Sequence, residues 1–325
     1  MILRLKKVVL LQIITINLNT MQTLHPLRRT RDFGQTISDT IQFLKAHWKN
    51  LILLYLIFVV PFLLIGTLVG ASSFSSFFTQ IGSDMSNIKN PLSLFTPQFI
   101  LAIALLSLSF IAYLTVVNLY MKLFEENGGS TPTISETGSR FFGKFLSNIG
   151  YLFIVFILFI VSAFMAVIPV VGILVFMFGV WYMMVSLSLL FPINTIEENP
   201  FLYSFSRMFY LIKNRWWYTF GIVIILFLIY YFFAAVIGLI TNMIFGFSSI
   251  NFLDQKGSFS LMTEKYFLVM GLSSIIQQVF YLIIHVGIGM HYFSLREEKD
   301  GSGLEARLEQ LGSGGNEHGQ IEEQY

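Results

Sequence analysis

Six long apolar stretches without a single charged residue dominate this sequence. They run over 51–71, 99–121, 146–168, 170–192, 219–246 and 266–293. A helix needs roughly 20 apolar residues to cross the ~30 Å hydrocarbon core of a bilayer, because backbone groups there can pair only within the segment. All 18 Asp and Glu and all 20 Lys and Arg lie outside the six stretches. The sequence therefore predicts an all-α integral membrane bundle of six transmembrane helices.

The composition excludes several classes of protein. The chain is 55% hydrophobic and 12% charged, with a mean hydropathy of +0.72, whereas a soluble domain carries about 25% charged residues. It has no cysteine, which excludes a disulfide framework, a thiolate metal site and a cysteine nucleophile. The net charge of +2 forms no basic stripe, so we expect no nucleic-acid partner.

The basic residues predict the orientation of the chain. Seventeen of the 20 Lys and Arg lie before the first span, after the second, after the fourth or after the sixth. The other three, in the opposite loops, are Lys89, Lys256 and Lys265. By the positive-inside rule this bias places both termini in the cytoplasm, and we expect a multi-pass protein of the cell inner (cytoplasmic) membrane.

Three regions follow from these spans. Residues 1–30 form a basic N-terminal segment, 31–293 the six-helix transmembrane domain, and 294–325 an acidic, Gly-rich cytoplasmic tail. The first region has three interpretations: a start codon misplaced upstream of Met21, a short membrane-surface helix, or a cleaved signal, which the absence of a small-residue cleavage site disfavours.

An amphipathic segment precedes the first, third and fifth spans. Their predicted helix starts are Asp32 with Gln35, Thr133 with Glu136, and Asn199 with Pro200. The apolar anchors share one spacing: Ile41, Leu44, Trp48; Phe142, Phe145, Ile149; Phe209, Ile212, Trp216. This pattern predicts three copies of one unit, each an interfacial cytoplasmic helix whose cations meet anionic lipid headgroups. The plainer alternative is that these helices only orient the hairpins that follow.

Small residues predict how the helices turn and pack. Ile168-Pro169-Val170-Val171-Gly172 predicts a tight reversal between the third and fourth spans, and Pro61 predicts a kink in the first. Gly66 and Gly70 form a GxxxG pair. A second small or polar ladder on the fifth span consists of Ala234, Gly238, Asn242 and Gly246. Whether these surfaces pack within the chain or between chains stays open.

One polar stripe is predicted inside the membrane. On the sixth span it consists of Ser274, Gln278, Tyr281, His285 and Tyr292. The stripe favours either interhelical hydrogen bonding, with Asn118 and Asn242 as partners, or a substrate-lined cavity around Gln278 and His285.

No constellation in the sequence carries a recognisable reaction. The GxSxG, HExxH and Walker A patterns are absent. His285 and His291 point to different faces of a helix, which makes a poor metal pair. The adjacent acids Glu125-Glu126 and Glu197-Glu198 are interpreted as solvated loop charges. We therefore expect no catalytic residue, no cofactor and no metal.

Several motifs carry a resemblance to a known family. They are Arg31-Asp32-Phe33-Gly34-Gln35 running into Phe43-Leu44 and Trp48, Ile168-Pro169-Val170-Val171-Gly172, Tyr203-Ser204-Phe205 through Lys213, Trp216 and Trp217, and Arg296-Glu297-Glu298-Lys299-Asp300-Gly301-Ser302-Gly303-Leu304. From Arg31 onwards the chain resembles uncharacterised bacterial six-helix membrane proteins grouped with the membrane domain of glycerophosphoryl diester phosphodiesterases. The resemblance carries over no catalytic residue, because that activity resides in a soluble barrel of about 250 residues, for which there is no room outside the spans.

Two functions remain as expectations. The first is a non-enzymatic membrane scaffold or assembly module that forms homo-oligomers or binds another membrane protein. The alternative is a transporter or lipid-handling protein with a polar cavity near Gln278 and His285.

Overall fold

The computed structural model describes residues 27–83, 94–164, 171–253 and 259–301. Helices make up 89% of the structure, and those residues contain no strand. The ten helices of the described part are α1 Phe33–Phe58, α2 Val60–Ser83, α3 Pro97–Glu126, α4 Ile134–Ala163, α5 Val171–Leu187, α6 Leu190–Glu197, α7 Phe201–Ile212, α8 Trp216–Leu253, α9 Phe259–Val279 and α10 Tyr281–Asp300.

Six stretches of helix are long and apolar enough to cross a membrane. They are Val60–Phe78, Pro97–Glu126, Ile134–Ile160, Phe176–Glu197, Trp216–Ile244 and Lys265–Asp300. The chain is thus an all-α, multi-pass membrane protein, as predicted. The first of these stretches begins at Val60 and not at the predicted Leu51, because the preceding helix ends at Phe58.

Three of the six apolar segments are interrupted. The first breaks at Val59, ahead of Pro61, which confirms the predicted kink. The fourth breaks at Ser188 and Leu189, ahead of Pro192, and separates α5 from α6. Both breaks have the same cause, since a proline cannot donate to the carbonyl four residues earlier and clashes with it. The sixth segment breaks at Phe280, between α9 and α10, and no proline lies near this break.

The core surrounds α3 and α10. Every residue from Ile111 to Glu125 on α3 and from Ile284 to Leu295 on α10 is buried. The α1–α2 pair lies antiparallel to α3, as the contacts between Tyr55 and Tyr113 and between Phe77 and Phe99 show. A helix buried on all sides needs apolar residues around its whole circumference, which explains why these two segments lack a clear polar face.

Most of the charged side chains gather at one end of the bundle. Helices α3, α6 and α10 finish there, and α1, α4, α7 and α8 begin there. The contacts that define this charged end are Arg31–Ser294, Arg140–Glu126, Arg207–Glu197 and Arg215–Glu298.

The three amphipathic segments differ in how they join the bundle. The first two are the opening turns of the long helices α1 and α4, and only the third, α7, is a separate helix. Asp32 and Gln35 form the predicted capping box, and Thr133 accepts the Glu136 N–H at 3.2 Å, so both predicted starts are confirmed. The Asn199 prediction is wrong: Pro200 is the N-cap of α7, and no side chain caps that helix.

Some predictions fall outside the described residues. These are the basic segment up to residue 26, with the alternative start at Met21, the tail after Gly301, and the reversal at Ile168, Pro169 and Val170.

Candidate functional site

The break between α9 and α10 is stabilised by two tyrosines from other helices. At the break the Phe280 N–H bonds the Gln277 carbonyl at 3.0 Å, a tight turn in place of the α-helical pattern. The Tyr55 hydroxyl donates to the Ile275 carbonyl at 2.6 Å, and the Tyr113 hydroxyl donates to the Gln278 carbonyl at 2.7 Å. Unpaired carbonyls within the membrane are costly, so these hydroxyls make the interruption tolerable.

The predicted polar stripe is divided by this break. Ser274 and Gln278 lie on α9, whereas Tyr281 and His285 lie on α10. The Ser274 hydroxyl bonds the Gly271 carbonyl of its own helix at 2.6 Å. The Tyr281 ring packs against Tyr230 of α8, with centroids 4.1 Å apart. Two helices and not one continuous helix thus carry the stripe, and its role as one polar face stays a prediction.

His285 lies among aromatic rings. Its side chain is buried, and the nearest ring centroids are those of Tyr113 at 4.8 Å, Tyr281 at 5.8 Å and Phe110 at 6.1 Å. Within the described residues neither ring nitrogen has a hydrogen-bond partner. Phe110 also lines an open cavity of about 380 Å³ with Ile103, Leu106, Ser107 and Leu152. The surroundings of His285 are thus rings and aliphatic groups.

The two asparagines expected to partner the polar stripe do not do so. Asn118 is buried, and its Oδ1 has no hydrogen-bond partner among the described residues. Asn242 is exposed, and its amide donates to the Gly238 carbonyl of its own helix at 2.8 Å. A helix-internal bond of this kind satisfies the amide without joining two helices.

The two small-residue surfaces have different surroundings. A β-carbon placed on Gly66 would lie 3.2 Å from Leu105 and Leu106 of α3, and one on Gly70 would lie 3.1 Å from Ala102. Gly66 and Gly70 therefore face α3. In the α8 ladder Ala234 is buried, while a β-carbon on Gly238 would meet no atom of the described residues within 4 Å. Within the described part of the chain, Gly238 and Asn242 therefore face open space, and only Ala234 of this ladder packs into the core.

Three glycines that the sequence analysis missed form the closest helix contacts. A β-carbon on Gly271 would clash with Thr67 of α2. One on Gly287 would lie 2.6 Å from Leu226 of α8, and one on Gly289 would lie 2.5 Å from the Met121 sulfur. The spacing of Gly287 and Gly289 is not GxxxG, so only the burial of α10 reveals their role.

A buried amide network ties three helices together, and the sequence analysis missed it as well. The Asn148 amide of α4 donates to the Thr115 hydroxyl of α3 at 2.8 Å. Asn194 of α6 donates to Asn148 Oδ1 at 2.7 Å and to Ser147 at 3.2 Å. The signal in the sequence was an asparagine inside the predicted third span, which is costly there unless it is bonded.

Only one of the adjacent glutamates Glu125 and Glu126 is solvated, which corrects the sequence interpretation for Glu125. Glu125 is buried and pairs with Arg28, whereas Glu126 pairs with Arg140. Neighbouring residues on a helix point in different directions, so one acid of the pair reaches the core and the other the surface.

The second pair, Glu197 and Glu198, is divided in the same way. Glu197 is 7% exposed, accepts the Arg207 Nε at 3.2 Å and accepts the Tyr292 hydroxyl at 2.9 Å. Arg207 also pairs with Asp300 at the end of α10. Burial alone would lower the pKa of Arg207, but the carboxylates of Asp300 and Glu197 together raise that pKa above its ordinary value. This cluster joins α6, α7 and α10.

Glu198 lies at a backbone position that few residues adopt. Its φ is 59°, in the left-handed region, at the end of α6. Its carboxylate accepts hydrogen bonds from Lys122 and from Lys144, the latter at 2.9 Å. These hydrogen bonds lower the pKa of Glu198 from 4.5 to about 2.

This depressed pKa gives a pH-dependent prediction. The stabilisation from ionised Glu198 is complete above its unfolded pKa and is lost as the pH falls from about 5 towards 2. We expect the thermal unfolding midpoint in detergent to fall over this range, and Glu198→Gln to make the fall shallower. Glu136→Gln is the control, because its carboxylate accepts only a neutral amide, that of Asn127 at 3.0 Å. Identical pH profiles for wild type and Glu198→Gln would contradict the assignment.

The segment before α1 is docked by Arg31. Its backbone N–H donates to the Ser294 hydroxyl of α10 at 2.8 Å, and its carbonyl accepts the Tyr218 hydroxyl of α8 at 3.1 Å. The buried guanidinium bonds Asp39 at 2.7 Å and the Leu27 carbonyl at 2.8 Å. Burial lowers the pKa of Arg31, although Asp39 opposes the effect. The Arg31-Asp32-Phe33-Gly34-Gln35 motif thus starts α1 and fixes the preceding segment to the bundle. We call the contacts of Arg31 with Ser294, Tyr218, Asp39 and Leu27 the Arg31 clasp.

The tyrosine hydroxyls at the α9–α10 break give a second prediction. Tyr113→Phe should destabilise the protein by about 1–3 kcal/mol, since it removes a hydrogen bond to the Gln278 carbonyl at a buried position. Tyr231→Phe is the control, because that ring is 58% exposed on α8. The measurement is thermal unfolding in detergent. Equal midpoints for the two variants would show that the Tyr113 hydroxyl does not support the break.

Within the described residues, no group of three or more His, Cys, Asp or Glu side chains is placed to hold a metal ion. No family model matches this chain, and neither a curated protein nor a solved structure matches it.

Proposed function

We propose that this chain is a non-enzymatic scaffold or assembly module of the cell inner (cytoplasmic) membrane, with both termini in the cytoplasm. In this proposal the charged end lies at the cytoplasmic face, and the bundle presents its apolar outer faces to a second copy or to another membrane protein. The likeness to the membrane domain of glycerophosphoryl diester phosphodiesterases remains part of the proposal.

One observation carries the proposal: several buried hydroxyl, amide and carboxylate groups of the interior hold the helices together. The hydroxyls of Tyr55 and Tyr113 bind backbone carbonyls, and the amides of Asn148 and Asn194 bind each other and their neighbours. The buried carboxylate of Glu197 is paired with Arg207. Such engaged groups favour a rigid structural element over a site that must exchange partners with a substrate.

The outer surface supports contact with anionic lipid. Ile41 and Trp48 on the first amphipathic segment are 41% and 51% exposed, and Lys45 and Lys49 lie between and beside them. Exposed aromatic rings next to cations are typical of the interface between acyl chains and headgroups. Each such cation contributes roughly 1 kcal/mol of attraction to an anionic leaflet.

The orientation can be tested without removing any native thiol, because the chain has no cysteine. Lys213→Cys and Lys265→Cys each place a thiol at an exposed position, one at the charged end and one at the opposite end of the bundle. We expect an impermeant maleimide to label Lys265→Cys in intact cells and Lys213→Cys only after permeabilisation. Labelling of both in the same compartment would overturn the proposed topology.

Assembly can be tested by native mass spectrometry of protein extracted in mild detergent, together with crosslinking in the intact membrane. One chain has a mass of 37.2 kDa. We expect particles that contain two or more chains, or one chain with a second membrane protein, and the same crosslinked species before extraction. A single uncrosslinked chain in both experiments would contradict the proposal.

The alternative, a transporter or lipid-handling protein, is favoured by the unpaired ring nitrogens of buried His285 beside Phe110, which lines the open cavity. We expect His285→Ala to leave expression and membrane insertion nearly unchanged and to preserve the cellular phenotype of the wild type. Loss of that phenotype in a folded, inserted variant would instead support the alternative.

A further inference from the structure

A cavity of about 420 Å³ opens at the charged end, between the starts of α1 and α8 and the end of α10. We name it the headgroup pocket, and besides the clasp residue Arg31 it is lined by Thr30, Asp32, Gln35, Arg215, Tyr218 and Glu298. We infer that it binds the headgroup of a zwitterionic phospholipid that carries both a phosphate and a primary ammonium group.

The charges of the headgroup pocket fit a zwitterion better than an anion. The Arg31 guanidinium pairs with Asp39, which also pairs with Arg29, and it bonds the Leu27 and Arg29 carbonyls. The lining of the pocket carries two cations, Arg31 and Arg215, and two carboxylates, Asp32 and Glu298, so its net charge is zero. A purely anionic headgroup would bring no cation for the two carboxylates, whereas a zwitterion brings an ammonium group for the carboxylates and a phosphate for Arg215.

Arg215 is held in place to receive a phosphate. Its Nε and Nη2 lie 2.8 and 2.7 Å from the same oxygen of Glu298, and its guanidinium lies 5.6 Å from the centre of the Tyr218 ring. A guanidinium has a third nitrogen and five N–H donors in all, so it can serve a carboxylate and a phosphate together.

The headgroup pocket also lies at a suitable depth. Arg215 directly precedes Trp216 and Trp217, where the fifth apolar helix begins, and Trp217 is 77% exposed. Tryptophan at the end of a spanning helix marks the headgroup level of the bilayer. The pocket volume falls within the range of about 300–1,000 Å³ that small-molecule sites occupy. This step rests on the proposed membrane placement of the charged end.

The test is a titration of the purified full chain in detergent with soluble short-chain lipids. The probes are dihexanoyl phosphatidylethanolamine, phosphatidylcholine and phosphatidylglycerol, and the readout is the thermal unfolding midpoint. We expect phosphatidylethanolamine to raise the midpoint at the lowest concentration. Phosphatidylcholine should bind more weakly, because its quaternary ammonium cannot donate hydrogen bonds, and phosphatidylglycerol should bind weakest. Equal effects of the three lipids, or none from phosphatidylethanolamine, would overturn the inference.

Matched variants locate the site. Arg215→Gln and Glu298→Gln should each weaken phosphatidylethanolamine binding about tenfold or more, as expected for loss of a charged hydrogen-bond partner. Arg140→Gln is the control, because that arginine is similarly exposed and pairs with Glu126 outside the pocket. Unchanged affinity in both pocket variants would overturn the assignment. If Arg215→Gln fails to fold, Glu298→Gln and the three-lipid comparison on the wild type still test whether the headgroup pocket binds phosphatidylethanolamine.

The detergent titration does not depend on which side of the membrane the charged end faces or on assembly. Labelling or crosslinking results opposite to those expected would therefore refute the proposed function and would not affect the lipid-binding inference. A titration without the expected preference for phosphatidylethanolamine would refute the lipid-binding inference and would not affect the proposed function.

Discussion

Replacing Gly287 with leucine should destabilise the bundle strongly, whereas the same replacement at Gly238 should have almost no effect. A β-carbon on Gly287 would lie 2.6 Å from both terminal methyl groups of Leu226, and Leu226 is fully buried. Overpacking of this kind costs typically 1–3 kcal/mol and can cost more where neighbours cannot move. We expect a clear fall in the thermal unfolding midpoint or loss of folded protein on extraction.

Gly238→Leu is the matched control, since it makes the same change on an apolar helix where no atom of the described residues lies within 4 Å of the added β-carbon. Gly287→Ala adds a smaller side chain and should lower the thermal unfolding midpoint by an intermediate amount. It can therefore be compared with Gly238→Leu if Gly287→Leu does not fold. Equal midpoints for the leucine variants at positions 287 and 238 would mean that α8 and α10 do not approach closely at Gly287. A loss at Gly238 alone would point to packing between chains.

The second large effect is expected at the buried carboxylate of Glu197. Glu197→Gln removes the charge opposite Arg207 and leaves Arg207 and Arg296 facing fewer carboxylates, because Arg296 interacts electrostatically with Glu125, Glu197 and Asp300. Removing one partner of a buried ion pair costs about 3–5 kcal/mol when the other charge is left without a partner. Arg207 keeps its pair with Asp300, so we expect a loss of free energy of unfolding near the lower end of that range. Thermal or denaturant unfolding in detergent measures the loss.

Glu126→Gln is the control for that experiment. Its carboxylate is 42% exposed and pairs with Arg140, which is 50% exposed. An exposed pair of this kind contributes between about 0 and 1 kcal/mol. Similar losses at the two positions would show that Glu197 is no more important to the fold than a surface acid.

The parts of this fold that depend on local sequence could be predicted. The apolar helices follow from runs of residues without charge, and the break at Val59 follows from Pro61 two positions later. The capping box of α1 follows from Asp32 and Gln35, which lie within one helical turn of each other. In each case the physical cause acts over a few residues, so the sequence contains the complete signal.

The candidate site depends on contacts between distant segments, and the sequence does not reveal these. Tyr55 bonds a carbonyl 220 residues later, and no proline or glycine at the break announces that Ile275 will need such a partner. Glu125 and Glu126 are identical neighbours, yet only one is buried. Gly238 and Gly287 likewise differ only in what lies opposite them. Burial of a given side chain is a property of the folded chain and not of local spacing.

The clasp formed by Arg31 also imposes an order on biosynthesis. Its backbone N–H can form its hydrogen bond only after the ribosome has added Ser294, 263 residues later. At about 5–20 residues per second, the nascent chain therefore spends roughly 13–50 s with this segment undocked. A product that stops before α10 would leave the Arg31 backbone N–H without its Ser294 partner, a state that proteases and membrane chaperones can distinguish from the finished protein.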